Sequence, residues 1–170
     1  MQLYCNRNCC PYEGMCGNGL LESTKTRLAR NARTRQLSVV ATDDIESGEV
    51  LGQYLGELEH VSVAPENRPR NEGYGLVMRQ RPETPSYPVR VAINAQHLGG
   101  LMRFVNHSCE PVATFHEVAN GRRTTVVVAT TEDVLQGQVI TVDYGADLWF
   151  VCRCGSESCH HRAIQDQRDP

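Results

Sequence analysis

The chain has 170 residues, which suits one domain large enough to bury a core without staples. Hydrophobic residues make up 40% and charged residues 22%, so the composition excludes wholesale disorder. The longest apolar run, near Val126–Ala129, is far shorter than the roughly 20 residues of a membrane span. The chain has 17 Lys and Arg against 20 Asp and Glu, which gives a net charge of −3. This charge argues against nonspecific electrostatic binding of nucleic acid and favours a basic partner.

The N-terminal residues 1–20 are rich in cysteine and glycine, and they contain half of the eight cysteines: Cys5, Cys9, Cys10 and Cys16. Four thiolates can close one tetrahedral zinc site, so we expect metal to hold this segment. The following residues 21–35 are basic, and we expect them to form a solvated arm that carries Lys25, Arg27, Arg30, Arg33 and Arg35.

From Leu37 onwards the sequence is typical of short strands in several small antiparallel sheets, so the predicted fold class is mainly β. Runs rich in β-branched residues alternate with Gly, Pro and polar turns: Leu37–Ala41, Val50–Leu58, Tyr74–Met78, Val89–Ile93, Thr124–Thr130 and Val139–Val142. Residues 62–73 and 80–88 contain prolines and are predicted loops. Helical periodicity is scarce, and only a short turn is predicted around Leu101–Val105.

One segment of the sequence echoes another. Thr42–Leu51 and Thr131–Ile140 both contain a polar turn, an apolar anchor and a glycine before a predicted strand. Two copies do not make a solenoid, so the similarity indicates that the same local turn structure precedes two different strands.

Among the C-terminal cysteines Cys152, Cys154 and Cys159, the pair Cys152-x-Cys154 is too close for an easy disulfide but has a spacing that is normal for zinc ligands. Disulfides need an oxidising compartment, which a secreted chain reaches by means of an apolar leader. No apolar leader follows Met1, although a piece of a longer chain would not carry one. A structural zinc needs a fourth ligand, and Cys109 is the remaining cysteine. The alternative is that Cys109 is a buried free thiol and a histidine completes the site, either His160 or His161.

A dense polar cluster, Asn106-His107-Ser108-Cys109, follows two apolar residues. Tyr144 lies at the end of a predicted strand, shortly before the C-terminal cysteines. If Cys109 and Cys152 share a zinc, Asn106, His107 and the Tyr144 hydroxyl converge in one place. The alternative is a satisfied polar core beside a structural metal. The triplet Asn106-His107-Ser108 also reads as a glycosylation sequon, but nothing in the sequence supports secretion.

These motifs resemble the SET-domain lysine methyltransferases, which transfer a methyl group from S-adenosylmethionine. The resemblance is carried in order by RFVNHSCEP (103–111), VDYG (142–145) and CRCGSESC (152–159). It implies a SET fold with short helices, stapled at both ends by one or two structural zinc ions. It divides the chain into a shortened pre-SET or AWS-like segment with an arm (1–32), a SET domain (33–145) and a post-SET zinc loop with a tail (146–170). In the family the cysteine of NHSC, here Cys109, is the fourth post-SET ligand.

The resemblance also implies roles for individual residues. Three tyrosines would serve catalysis, the essential hydroxyl being that of Tyr144: Tyr144, Tyr54 and Tyr74. The Asn106 side chain would contact the amino-acid end of the cofactor and the His107 backbone its adenine. The other implied cofactor contacts are Arg103, Gln36, Leu37, Ser38, Tyr54, Trp149 and Cys154. The lysine channel would be lined by Val142, Tyr144 and Tyr74. The plainer alternatives are that Tyr74 is an ordinary strand aromatic and that Trp149 and Phe150 cap the core.

Several positions depart from the family pattern. Gln36-Leu37-Ser38 replaces a G-x-G turn that approaches the cofactor with bare backbone, so its side chains are expected to crowd the cofactor. Gln53, Asn94 and Gly100 stand where the family has Glu, Asp and Asn. Val142 replaces an aromatic residue, which implies a wider channel and di- or trimethylation unless Phe150 or Tyr87 fills the gap.

The function predicted from this resemblance is methyl transfer to a protein lysine, on a histone tail or another lysine-bearing protein. We expect a monomeric domain, within a longer chain, that acts in the nucleus or, as the second choice, the cytoplasm. Neither a membrane nor a specific nucleic-acid sequence is an expected partner. The competing hypothesis is a catalytically silent SET-like module that binds a peptide or partner, which the Gln36–Ser38 departure motivates. A purely structural zinc protein would leave the polar motifs unexplained.

Overall fold

The computed structural model describes residues 2–31, 35–68, 73–79, 89–145 and 148–164. Within them the chain forms eleven short strands and three short 3-10 helices, which confirms a mainly β fold. The strands are β1 Leu3–Tyr4, β2 Thr26–Arg30, β3 Leu37–Ala41, β4 Val50–Gln53, β5 Glu57–Ser62, β6 Gly75–Val77, β7 Val89–Asn94, β8 Asn106–His107, β9 Ala113–Asn120, β10 Arg123–Thr130 and β11 Thr141–Val142. The 3-10 helices are Pro65–Asn67, Leu101–Phe104 and Arg162–Ile164. No helix among the described residues has the length and apolarity needed to cross a membrane.

The strands form four small sheets. One has the order β1-β9-β10-β4, another the order β5-β7-β6, and the remaining strands form the pairs β2-β3 and β8-β11. The sequence predicts antiparallel sheets, but β1 pairs with β9 and β8 pairs with β11 in parallel. A parallel pair joins strands that are distant along the chain, and hairpin signals in the sequence carry no information about such pairs.

Most predicted strands are present with changed bounds. The predicted run Val50–Leu58 is divided into β4 and β5, with Gly56 in the gap. A Cβ atom on Gly56 would lie 2.4 Å from the Asn94 carbonyl oxygen, so this close backbone approach requires glycine. The basic residues 21–35 are not simply a solvated arm, because Thr26–Arg30 pairs along its whole length with β3. The predicted loop 80–88, including Tyr87, lies outside the described residues, as does Arg33.

The chain divides into two compact units, each assembled from separate stretches. The first contains Met1–Glu22, Gln53–Arg103 and His116–Val127, and the second contains Ser23–Gly52, Phe104–Phe115 and Val128–Pro170. The linear division at residues 32 and 145 therefore stays a prediction. The second unit buries large aliphatic side chains almost completely, among them Val39, Ile45, Val128, Val134, Ile140 and Val142. Each such side chain contributes about 1.5–3 kcal/mol to the free energy of folding.

The two echoing segments pair with each other inside the second unit. Ile45 and Val134 exchange two backbone hydrogen bonds of 2.9 Å, and both side chains are almost fully buried. The flanking contacts are reciprocal: Gln136 N–H donates to Asp44 Oδ1 at 2.8 Å, and Ser47 N–H donates to Asp133 Oδ1 at 2.9 Å. Because equivalent residues make equivalent bonds, the two segments form a clasp with an internal two-fold relation, here called the Ile45–Val134 clasp.

Candidate active site and metal centre

The C-terminal cysteines converge with Cys109 in the second unit. The Cys109 Sγ atom lies 3.8 Å from Cys152 Sγ and 3.7 Å from Cys159 Sγ, and Cys152 and Cys159 are 3.8 Å apart. Cys154 belongs to the same group, whose sulfur atoms all lie within 4.8 Å of one another. The sequence prediction that Cys109 lies beside the C-terminal cysteines is therefore confirmed.

The spacing of these sulfur atoms matches a tetrahedral metal site. Zinc–thiolate bonds of about 2.3 Å place the four sulfurs of a tetrahedron about 3.8 Å apart. A disulfide would need about 2.05 Å, and all eight cysteines are free. The donor set of four thiolates fits zinc, which favours sulfur ligands in closed four-coordinate sites.

The thiols of this C-terminal cluster differ in acidity. Burial raises the pKa of the Cys152 thiol. Burial also raises the pKa of the Cys154 thiol, but hydrogen bonds from the backbone at Cys109 and Ser156 outweigh it and lower that pKa to about 7. Since the thiolate is the metal ligand, the lowered pKa leaves Cys154 closer than Cys152 to its metal-binding form near neutral pH.

The His107 side chain connects the cluster to Tyr144. The backbone N–H of Tyr144 donates to His107 Nδ1 at 3.1 Å. A nitrogen that accepts a hydrogen bond carries no proton, so the imidazole is neutral with its proton on Nε2. His107 Nε2 lies 3.5 Å from Cys109 Sγ and therefore donates to it. Burial lowers the pKa of the imidazole, consistent with the neutral form of a side chain that is 2% exposed.

The N-terminal cysteines form a smaller group in the first unit. The sulfur atoms of Cys5, Cys10 and Cys16 lie within 4.8 Å of one another. Cys9 is outside this group, with its Sγ 3.6 Å from the Asn6 carbonyl oxygen. The structure therefore brings together three of the four predicted N-terminal ligands. Burial raises the pKa of the Cys10 thiol, but backbone hydrogen bonds, the strongest at Tyr12, outweigh it and lower that pKa to about 6.

Asn106 is held by the residues that replace the family's G-x-G turn. Its Nδ2 donates to the Leu37 carbonyl oxygen at 3.1 Å and to Ser38 Oγ at 2.7 Å. Ser38 is buried, Leu37 is half-buried and Gln36 is exposed. Of these three predicted cofactor contacts, the structure brings Leu37 and Ser38 to Asn106.

Tyr144 lies in a group of aromatic rings. Its hydroxyl donates to the Val105 carbonyl oxygen at 2.5 Å. Its ring stacks on Trp149 with centroids 5.5 Å apart and planes 16° apart, while Phe150 packs edge-on at 6.3 Å. The ring of His107 is 5.5 Å from that of Tyr144. The predicted residues Asn106, His107, Tyr144 and Trp149 therefore belong to one neighbourhood, anchored by the parallel pairing of β8 with β11.

Val142 is completely buried in this unit. It ends β11, so strand alternation does not extend to Tyr144. Its role as a channel residue stays a prediction, as does the wider channel.

The remaining predicted site residues belong to the first unit. The Tyr54 hydroxyl donates to the Tyr74 carbonyl oxygen at 2.8 Å. The Arg103 guanidinium lies 4.6 Å from the centre of the Tyr74 ring and donates to the Gln96 carbonyl oxygen at 2.6 Å. Sequence reasoning missed this cation–π contact, since no spacing rule relates Arg103 to Tyr74. The catalytic and channel roles of Tyr74 stay predictions.

Two departures from the family pattern, Asn94 and Gly100, lie in the first unit. Asn94 donates to Glu59 Oε1 at 3.0 Å and accepts from the Gln96 backbone N–H at 3.0 Å, so both ends of its amide are engaged by nearby residues. A Cβ atom on Gly100 would meet the Leu55 side chain at 3.6 Å, which is ordinary contact. The absence of a side chain at Gly100 is therefore not forced by packing.

Comparisons with known proteins agree with these motifs. The SET domain matches residues 36–145, a range that includes Asn106, His107, Cys109 and Tyr144. Histone-lysine N-methyltransferase EHMT1 of Homo sapiens is 29% identical over 169 residues, covering 92% of this chain and 12% of that protein. Histone-lysine N-methyltransferase ASHH3 of Arabidopsis thaliana is 29% identical over 133 residues, covering 73% of this chain and 34% of that protein.

A third relative is the H3 lysine-4 specific histone-lysine N-methyltransferase of Schizosaccharomyces pombe, which is 30% identical over 141 residues, covering 75% of this chain and 14% of that protein. The chain thus corresponds to between 12% and 34% of the length of these three relatives. Because the SET match covers most of the chain and contains its polar motifs, the chain belongs to the SET-domain family.

Proposed function

We propose that the chain transfers a methyl group from S-adenosylmethionine to a lysine of another protein, and that this protein is a histone acting as substrate in the nucleus. The observation that carries the proposal is the placement of Tyr144, whose hydroxyl is bonded to the Val105 carbonyl beside Asn106 and His107. The names of the three relatives and the net charge of −3, which suits a basic tail, support a histone substrate.

The residues of the second unit suit this cofactor. With both Nδ2 hydrogens used, Asn106 presents its Oδ1 as an acceptor, which matches the ammonium group of an amino-acid moiety. The stacked rings of Tyr144 and Trp149 offer apolar area for exclusion of water. When bound, S-adenosylmethionine supplies an electrophilic methyl group on a sulfonium.

The reaction needs a neutral lysine. With a pKa near 10.4, deprotonating the ammonium at pH 7 costs about 4.6 kcal/mol. A dry channel lowers that pKa because burial disfavours the charged form, and a nearby positive charge acts in the same direction. The Tyr144 hydroxyl, fixed by the Val105 carbonyl, holds the lysine nitrogen in line by accepting its hydrogen bond.

We further propose that Cys109, Cys152, Cys154 and Cys159 hold one structural zinc. Their sulfur spacing supports this proposal, and the metal would supply folding energy rather than chemistry. A second zinc ion would have three thiolate ligands in the N-terminal group, those of Cys5, Cys10 and Cys16.

The second candidate function is a catalytically silent SET-like module that binds a peptide. Ser38 favours it, because a side chain occupies a position where the family has glycine. A silent module would bind a histone peptide without transferring methyl groups, so methyl transfer is the discriminating measurement.

The decisive experiment incubates the protein with isotopically labelled S-adenosylmethionine and core histones, followed by mass spectrometry of the products. We expect label on lysine. A matched Tyr144→Phe variant removes one hydroxyl and little volume, so it should keep its fold and cofactor affinity while turnover falls about 100- to 1,000-fold. Absence of labelled lysine in all histones and in a wider protein extract would overturn the proposed activity, and near-normal turnover of Tyr144→Phe would move the catalytic role elsewhere.

A further inference from the structure

Ser38 is a buried polar side chain at a position where the family has glycine. It is 1% exposed, on strand β3 among the aliphatic residues of the second unit. A buried hydroxyl needs a hydrogen-bond partner, since leaving it unpaired costs about 1–3 kcal/mol. The partner is Asn106 Nδ2, 2.7 Å away, so the serine hydroxyl is committed to Asn106.

This contact decides which way the Asn106 carboxamide points. The Leu37 carbonyl oxygen can only accept a hydrogen bond, so the group facing it must be Nδ2 and not Oδ1. Ser38 Oγ takes the second hydrogen of the same Nδ2. With both hydrogens used, Oδ1 is the remaining polar atom of the side chain, and no described residue makes a hydrogen bond to it.

With a glycine at residue 38, the Leu37 carbonyl oxygen would be the one remaining acceptor of these two. One hydrogen of the amide would then lack a partner from this residue, and the carboxamide would be less firmly oriented. The hydroxyl of Ser38 therefore adds a restraint for which a G-x-G turn has no equivalent.

We propose that Ser38 is a positioning residue, which orients the Asn106 carboxamide so that Oδ1 accepts a hydrogen bond from the ammonium group at the amino-acid end of the cofactor. This inference rests on the proposed function. It assigns to the Ser38 side chain a supporting role at a position where the sequence alone predicts crowding. The ligand chemistry it commits to is an α-ammonium group, because a carboxamide oxygen is an acceptor and a cationic donor strengthens the bond.

The test compares two ligands that differ at the amino-acid end. S-adenosylhomocysteine carries the α-ammonium group, whereas 5′-methylthioadenosine lacks the whole amino-acid moiety. Dissociation constants are measured by calorimetry for the native chain, Ser38→Ala and Ser38→Gly. We expect both variants to bind S-adenosylhomocysteine roughly 2- to 12-fold more weakly, the range for one net hydrogen bond, while 5′-methylthioadenosine binds unchanged.

Two further variants make the result specific. In an Asn106→Ala background the Ser38→Ala change should cost no additional affinity, because Ser38 acts through Asn106. Ser38→Thr retains the hydroxyl and should restore the preference for S-adenosylhomocysteine if the alanine variant folds poorly. Equal weakening of both ligands, no weakening of either, or an undiminished effect without Asn106 would overturn the role of Ser38. A native chain that binds neither ligand would instead refute the proposed function, and the inference with it.

Discussion

The two cysteine clusters are built on different plans. The C-terminal cluster joins Cys109 to three cysteines that lie at least 43 residues further along the chain, and it assembles four thiolates. The N-terminal cluster takes Cys5, Cys10 and Cys16 from one short segment and assembles three. A metal that joins distant segments organises a core, whereas one that joins neighbouring residues organises only its own loop. We therefore expect the two clusters to differ sharply in their importance for folding.

The largest expected effect comes from breaking the C-terminal cluster. Cys154→Ser removes one of its four thiolates, and structural zinc sites contribute about 10–16 kcal/mol, more than the stability of a typical domain. We expect the variant to lose one zinc by elemental analysis, to lose order in residues 148–164 and to bind the cofactor more weakly.

Cys9→Ser is the matched control, since Cys9 lies outside the N-terminal group of three. It should keep the zinc content and melting temperature of the native chain. A Cys154→Ser protein with native zinc content and melting temperature would remove the distinction between the two clusters.

A second variant tests how the N-terminal segment is held. Gly121 has a φ of +66°, and a Cβ atom there would lie 2.2 Å from Asn6 Nδ2 and 2.8 Å from Cys9 Sγ. Gly121→Ala should lower the free energy of unfolding by about 2–4 kcal/mol, because it adds a clash to the strain of a left-handed backbone.

Gly137→Ala provides the control, with a φ of +84° and no atom within 4 Å of the added Cβ. It should cost only the backbone strain, about 1–2 kcal/mol. Denaturant titration of both variants isolates the clash, and labelling of Cys9 by a thiol reagent should accelerate in Gly121→Ala alone. If both variants lose the same free energy of unfolding, the N-terminal segment moves away from the added methyl group with no energetic penalty, which would contradict the prediction.

The smallest expected effect concerns the hydrogen bond from His107 to Cys109. His107→Gln disturbs the Nε2–H donor to the thiolate, and loss of a residue that supports a metal ligand costs about 10-fold in metal affinity. Zinc release to a chelator should accelerate accordingly, and the sulfur-to-metal absorption of cobalt-substituted protein should shift. The exposed neighbour His160, changed to Gln, is the control and should leave both quantities unaltered. An unchanged cobalt spectrum in His107→Gln would show that this hydrogen bond does not tune the metal.

Ligand counting predicts the C-terminal cluster well but the N-terminal cluster less well, for a physical reason. A closed zinc site needs four ligands, and this rule makes Cys109 the first candidate for the fourth C-terminal ligand, ahead of His160 or His161. The same rule groups Cys9 with its neighbours, but the chain turns sharply there, since the N–H groups of Cys9 and Cys10 both donate to the Asn6 carbonyl. Which way a side chain points in such a turn depends on backbone geometry that spacing does not encode.

Other elements show the same limit. The strand run Leu37–Ala41 is predicted with its exact bounds, because β-branched residues between polar turns are a local signal. The pairing of β8 with β11 is not predicted, since two-residue strands carry no periodicity. The cation–π contact of Arg103 with Tyr74 likewise depends on tertiary structure. Local signals and the ligand count of a metal site are thus recoverable from the sequence, whereas the pairing of distant strands is not.

The Ile45–Val134 clasp has a consequence for the order in which the protein can be made. Its reciprocal bonds join residues 86 and 92 positions apart, so the clasp closes a long loop. Closing such a loop reduces the entropy of the chain before any favourable contact forms to compensate. Non-local contacts of this kind therefore slow folding. During synthesis, Thr42–Leu51 leaves the ribosome long before its partner exists, so Ile45 and the strands around it must wait for Val134 to emerge. The second unit therefore cannot complete its core until translation has passed residue 140, which makes its assembly a late event in the life of the nascent chain.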